Sequence, residues 1–223
     1  MLRGAVGGVE EMPATVASGA ENSPASEGKA PRTARGERTL RKILDAALAE
    51  FGERGFSEGS IVGITQRANV ALGTFYTYFD SKEAVFKALV RDMSDQVRTR
   101  VAAALGSDVE ALERERWALT ELLRLIGEHK SVYRIIDEAE FVDPEGYRRH
   151  YEDASRRILA RLREGADRGQ LRREESALAE EIVAWAMMGA NVFIGLRFAV
   201  WDTEDPDVVA KVVSRLWRLG MEA

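Results

Sequence analysis

The sequence predicts an all-α protein: an N-terminal head of three helices containing a helix-turn-helix, followed by a larger helical bundle. Apolar residues recur at offsets of three and four through nearly every segment after Leu40, and no stretch alternates with the period of two that a strand needs. Gly and Pro punctuate these segments at helix-length intervals.

Residues 1–36 are the exception. They are rich in Gly, Ala, Ser, Glu and Pro, show no hydrophobic period, and read as a disordered arm with too little apolar surface to offset the entropy of ordering. Glu10 and Glu11 interrupt any apolar stretch, so the arm does not read as a secretory signal. The head is expected over 37–82. Its first helix places Leu40, Ile43, Leu44, Ala47, Leu48 and Phe51 on one face and closes near Gly55. Ser60 can cap a second short helix whose Ile61, Ile64 and Ala68 face inward. Asn69 tolerates the positive φ of a tight turn, and Phe75 and Phe79 pack inward from the third helix. Asp80 and Glu83 have capping-box spacing and open a long fourth helix carrying Val85, Phe86, Leu89, Val90, Met93 and Val97.

The remainder, 83–223, is expected to be an antiparallel bundle, with helices after the fourth over roughly 108–128, 131–140, 144–168, 175–200 and 206–220. The apolar run Ile182 to Leu196 is too short for a comfortable membrane span and contains Asn191, so it reads as a buried helix and no membrane partner is expected. Small residues there would admit a second helix closely. Ala186, Gly189, Phe193 and Leu196, with Val209, Val213 and Leu216 of the last helix, are expected to pack across a two-fold axis as the interface of a homodimer.

Composition excludes several chemistries. With no cysteine among 223 residues, a disulfide frame, a thiolate metal site and a cysteine nucleophile are impossible, and the cytoplasm is the default compartment. His129 and His150 stand too far apart for a helical ligand pair, and Asp137, Glu138 and Glu140 lack partners at ligand spacing; all read as solvated. No metal and no cofactor is expected. Without strands there is no Gly-rich phosphate loop, no nucleophile elbow is present, and the chain does not read as an enzyme. The net charge of −5 argues weakly against nucleic acid as a partner, but Lys29, Arg32, Arg35, Arg38, Arg41 and Lys42 crowd one stretch opposed only by Glu37. The head is locally basic.

Residues 71–83 read Ala-Leu-Gly-Thr-Phe-Tyr-Thr-Tyr-Phe-Asp-Ser-Lys-Glu. Two short helices joined by a turn form a helix-turn-helix whose second helix enters a DNA major groove. With Phe75 and Phe79 inward, Tyr76 and Tyr78 are left to face elsewhere. These residues, with Glu50-Phe51-Gly52-Glu53-Arg54-Gly55-Phe56 and Ile64, Ala68, Asn69 and Val70 before them, resemble the tetracycline-repressor family of bacterial regulators. The resemblance covers about residues 38 to 90. It implies that Leu72, Gly73 and Thr74 face base edges or phosphates, that Tyr76 and Tyr78 contact the backbone or thymine methyls, and that Lys82 and Ser60 grip phosphates. Arg38 joins them from the basic stretch. Three positions depart from the family pattern: Asn69 stands for the usual Gly, Leu72 for a polar residue, and Ala71 for a hydroxyl residue, forgoing a cap worth about 1 kcal/mol.

The resemblance further implies a homodimer on a palindromic operator, released when an effector inside the bundle tilts the fourth helix. Trp117, Tyr133, Phe141, Tyr147, Trp185, Met188 and Asn191 are the expected pocket, mixing aromatic walls with a few polar groups. The segment Tyr133 to Phe141 is similar to members that sense fatty acids or fatty acyl thioesters. The alternative is a helical small-molecule-binding protein that does not read DNA.

Overall fold

The computed structural model describes residues 33–106 and 109–221. Among them regular structure is helical, apart from an isolated bridge at Leu171. Of the expected arm, residues 1–32 lie outside the described residues, whereas α1 (Ala34–Glu58) begins inside it. The reason is a cap the composition did not suggest: Thr33 Oγ1 accepts the Gly36 N–H at 3.1 Å. Gly55, with φ 80 and ψ 167, breaks the helical path of α1 near its end, in a conformation that a side chain would strain.

Helices α2 (Ile61–Ala68) and α3 (Leu72–Tyr78) follow. Ser60 Oγ accepts the Gly63 N–H at 2.9 Å, and Asn69 takes the left-handed conformation at φ 51, so cap and turn form as their residue types require. Ala71 provides no side-chain cap. The expected capping box at Asp80 gives way to a single cap at Ser81, which has Ala84 rather than Glu83 three residues on. Ser81 is the extended residue before α4 (Lys82–Ala104), and its Oγ accepts the Ala84 N–H at 3.1 Å.

Phe51, Phe75 and Phe86 are fully buried with Ile43 and Ile64, and Phe86 meets Phe51 and Phe56 edge-on at 5.4 and 5.0 Å. Beneath them Glu50 is buried too. It accepts from Arg67 Nε at 2.8 Å and from the Ser60 N–H at 3.2 Å, joining α1 to α2 through a hydrogen-bonded charge pair. A Cβ at Gly63 would collide with that carboxylate, which explains a glycine inside α2. The head core also takes Val85, Leu89 and Met93 from α4, and Ile135, Ile136 and Ala139 from α6 (Ser131–Val142). A division of the chain at residue 82 is therefore crossed by continuous packing.

The bundle is completed by α5 (Ala111–Glu128), α7 (Pro144–Asp167), α8 (Ala177–Gly195) and α9 (Pro206–Met221), with α7 packed on α8 and α5 on α9. A π-helical turn, Leu196–Trp201, prolongs α8 into a 25-residue helix that is long and apolar enough to cross a membrane by length and composition. The helix expected over 175–200 takes in this extension, whereas the apolar run Ile182 to Leu196 is only its middle part. Ala184, Met187, Met188 and Ala199 nevertheless pack inside the bundle.

The outward face of α8 carries Ile182, Trp185, Ala186 and Phe193, and that of α9 carries Val208, Val212, Leu216 and Leu219. Of the expected interface residues, Val213 is corrected: it is buried in the chain's own core with Leu119, Leu123 and Ala210. Val209 packs against the same cluster, and Gly189 and Leu196 are half-buried. The phase of α9 turns 208, 212, 216 and 219 outward and 210 and 213 inward, a choice that a helix with apolar residues on more than one face does not reveal by residue type.

Candidate functional site

The third helix is held from below by Phe75, which is fully buried, and Phe79, 5.7 Å away. That anchor turns the opposite face outward. Leu72 and Tyr76 are each 47% exposed, and a Cβ at Gly73 would meet nothing within 4 Å. The Tyr76 ring lies edge-on to Phe75 at 5.6 Å, so its direction is set by the core. Thr74 is half-buried. Thr77, overlooked in the sequence, is exposed one turn after Gly73 and donates its hydroxyl to the Gly73 carbonyl at 3.1 Å. Its i+4 spacing from Gly73 was the available signal. Ser60 and Arg38 are exposed near the same unit.

Two expected members of this face have other partners. Tyr78 is half-buried against the head core and donates its hydroxyl to the Gly36 carbonyl at 3.2 Å. The expected outward phenol is thus turned toward the start of α1, where the Gly36 carbonyl accepts it. The Lys82 ammonium donates to the carbonyls of Phe56, Gly59 and Ser57 at 2.9, 3.1 and 3.2 Å and lies 4.5 Å from the Phe56 ring centre. All three of its donors are occupied at the end of α1.

A cavity of about 120 Å³ lies among α4, α5, α6, α7 and α8. Tyr133, Met188 and Asn191, expected in a pocket, all line it. The other expected members do not. Phe141 is 83% exposed at the end of α6, Trp185 is on the outward stripe of α8, Trp117 lies against Gly106, and Tyr147 stacks edge-on at 5.0 Å on Tyr151, outside the lining. Aromatic character selected these residues, whereas helical phase decides which face inward.

The polar lining residues His150, Tyr151 and Arg157 were not recognised in the sequence. Burial lowers the His150 pKa to about 4, with Arg157 adding repulsion, so the ring is neutral at pH 7. The Ser94 hydroxyl donates to the Val90 carbonyl at 2.8 Å and its oxygen lies 2.7 Å from His150 Nδ1, which favours the ring proton on Nδ1. Tyr133 donates its hydroxyl to the Val192 carbonyl at 2.5 Å, and its pKa is raised by burial and by Asp137. Gly195 makes room for that phenol. Burial pushes the Arg157 pKa down, against the attraction of Asp153 and with the repulsion of Arg161, Arg98 and Arg156.

The same helix that walls the cavity reaches the head. From α6, Glu138 Oε2 accepts the Phe56 N–H at 2.6 Å, and Arg134 Nη1 donates to the carbonyls of Glu53 and Gly52 at 3.1 and 3.3 Å. A Cβ at Gly55 would stand 2.6 Å from Glu138 Oε1 and 2.7 Å from Arg134 Nη2. The glycine thus serves both the backbone break and the close approach of α6.

Residues 43–89 match the family described as bacterial regulatory proteins, tetR family. The HTH-type transcriptional regulator YdgC of Bacillus subtilis is 28% identical over 192 residues, covering 84% of this chain and 94% of that protein. Among solved structures, the fatty acid degradation regulator FadR from Bacillus halodurans superposes with a TM-score of 0.71 at 19% identity, covering 82% of this chain and 95% of that one. FadR from Bacillus subtilis, solved in complex with stearoyl-CoA, gives 0.70 at 18% identity over 79% of this chain and 96% of its own. Those structures share the fold. The helix-turn-helix head of this all-helical chain is thus similar to that of the tetR family of bacterial regulatory proteins, and the relatives it matches are described as transcriptional regulators.

Proposed function

We propose that the protein is a homodimeric repressor that binds a near-palindromic double-stranded operator through α3 and is released by a small apolar effector held in the bundle cavity. The observation that carries this reading is the outward face of Leu72, Gly73 and Tyr76, projected by a helix whose other side is locked in the core. Residues 37–82 read DNA, 83–223 bind effector and partner subunit, and the protein acts in the cytoplasm. Leu72 offers apolar contact to thymine methyls, Gly73 allows close backbone approach, and Tyr76, Thr74, Ser60 and Arg38 supply donors to phosphates. Lys82 can join them only by exchanging one of its carbonyl partners for a phosphate oxygen.

The exposed apolar residues of α8 and α9 support a second copy of the chain as partner, since stripes of this kind mark association surfaces. Two-fold symmetry would set the two α3 helices about 34–36 Å apart, one turn of DNA. A fatty acid or acyl-CoA effector is supported by the apolar walls of the cavity and by the FadR regulators that share the fold. Coupling of about 1–3 kcal/mol between cavity and head would weaken operator binding about 5- to 150-fold.

Gel-shift titration with the DNA upstream of the protein's own gene, at several salt concentrations, tests the reading. A specific band whose affinity falls steeply with salt, and is weakened in the Tyr76→Ala variant, is expected. No specific shift would instead favour a helical small-molecule binder that does not read DNA.

A further inference from the structure

Three arginines face the cleft of about 130 Å³ that adjoins the cavity: Arg98, Arg157 and Arg161. Two of them are neutralised within the chain. Arg161 holds Glu115 through Nη2 to Oε2 at 2.9 Å, and Arg98 holds Asp95 at 3.0 Å. Arg157 lines both spaces and makes no hydrogen bond or ion pair among the described residues. Asp153 attracts it, but that carboxylate is engaged by Arg156. A half-buried guanidinium without a hydrogen-bonded anion is costly to keep, and its planar fork suits a carboxylate. Beside it Asn191 Oδ1 is buried without a partner. Turning that amide over would present a donor to the same place. The wall that the two spaces share is otherwise apolar, with Val97, Leu122, Ala154 and Ile158 common to both.

We propose that the effector is an apolar molecule ending in a single free carboxylate, and that Arg157 is its counter-ion inside the bundle, with Asn191 as a second polar contact. The inference rests on the reading of this cavity as the effector site and narrows the ligand class. One unpaired cation matches one anionic charge. An acyl-CoA would bring several phosphate charges against the same guanidinium, while its thioester carbonyl carries none. His150 adds no second cation at neutral pH.

Calorimetric titration of the full-length protein, without DNA, with octanoate, dodecanoate and hexadecanoate, the matched alcohols, and dodecanoyl-CoA tests this. At least one acid should bind about 10- to 100-fold more tightly than its alcohol and than dodecanoyl-CoA, and Arg157→Gln should abolish that preference while leaving the alcohol unchanged. Equal binding of acid and alcohol, tighter binding of dodecanoyl-CoA, no binding of any acid, or an unchanged acid affinity in Arg157→Gln would overturn the proposal. Because no DNA is present, these outcomes are independent of whether the protein represses. A second measurement needs no ligand: Arg157→Met should melt at the same temperature as the wild type or higher, and a lower melting temperature would show that Arg157 serves the fold instead.

Discussion

The Glu138 carboxylate on α6 accepts the backbone N–H of Phe56 at 2.6 Å, tying the wall of the cavity to the end of the first head helix. Because Tyr133 and Ile136 of the same helix line the cavity, any ligand that shifts α6 also pulls on this bond. Glu138→Ala should therefore lower stability by about 1.5–3 kcal/mol, the range for a hydrogen bond to a charged group. It should also shrink the effector's influence on DNA affinity. Urea unfolding and gel shifts with and without ligand measure the two effects; full coupling in the variant would assign the relay to another contact.

Ala71 precedes α3 without a side-chain cap. Ala71→Ser should stabilise the head by about 1 kcal/mol through a new bond to the exposed N–H groups of the first turn. The check is the urea midpoint of the variant at constant m-value. A midpoint at or below that of the wild type would mean that this turn gains nothing from a cap.

The outward stripes of α8 and α9 make the proposed dimer sensitive to charge. Phe193 is 72% exposed and Leu216 61% exposed, so replacing each with Glu should cost the isolated chain little. In a dimer the same charges would be desolvated at the interface. Sedimentation equilibrium of Phe193→Glu/Leu216→Glu should give a monomer with near-native helical circular dichroism; an unaltered dimer would place the contact elsewhere.

His150 gives the fold a pH dependence of definite sign. Its pKa is about 4 when folded against an ordinary value of 6.5, so between these values the unfolded chain binds the extra proton. The His150 contribution is present above pH 6.5 and is lost as the pH falls toward 4, amounting to about 3 kcal/mol across the window. His150→Gln should flatten that part of the stability profile measured by urea unfolding. A profile equally steep in the variant would assign the acid sensitivity to the carboxylates.

Much of the head was legible because its signals are local. Ser60 could be read as a cap, Asn69 as a left-handed turn, and Phe75 and Phe79 as an inward pair from spacing alone, and each takes that place. Ser81 in place of Asp80 shows the limit of such signals: two adjacent residues can each cap, and backbone φ and ψ select Ser81 although only Asp80 has a Glu at box spacing. The cavity was far less legible. Phe141 and Tyr133 are eight residues apart on one helix, yet one is in solvent and the other lines the cavity, because the helix ends as it leaves the bundle. His150 was read as solvated and Arg157 was not singled out, because charged and polar types are usually exposed, a default that tertiary packing overrides. Val213 was misassigned for the complementary reason: apolar character does not say which of two neighbouring surfaces will cover it.

The widened turn Leu196–Trp201 holds the Asp202 N–H against the Arg197 carbonyl at 3.2 Å, a bond spanning five residues instead of four, and Lys130 donates to the Val200 carbonyl within it and to the Thr203 hydroxyl after it, each at 3.3 Å. One surplus residue rotates everything downstream by about 100° relative to an uninterrupted α-helix. It therefore acts as a phase adjuster between α8 and α9. Excising a single amino acid there would swing Trp201 and the link to Pro206 onto a different azimuth, misaligning the two stripes while leaving every outward side chain of α3 intact.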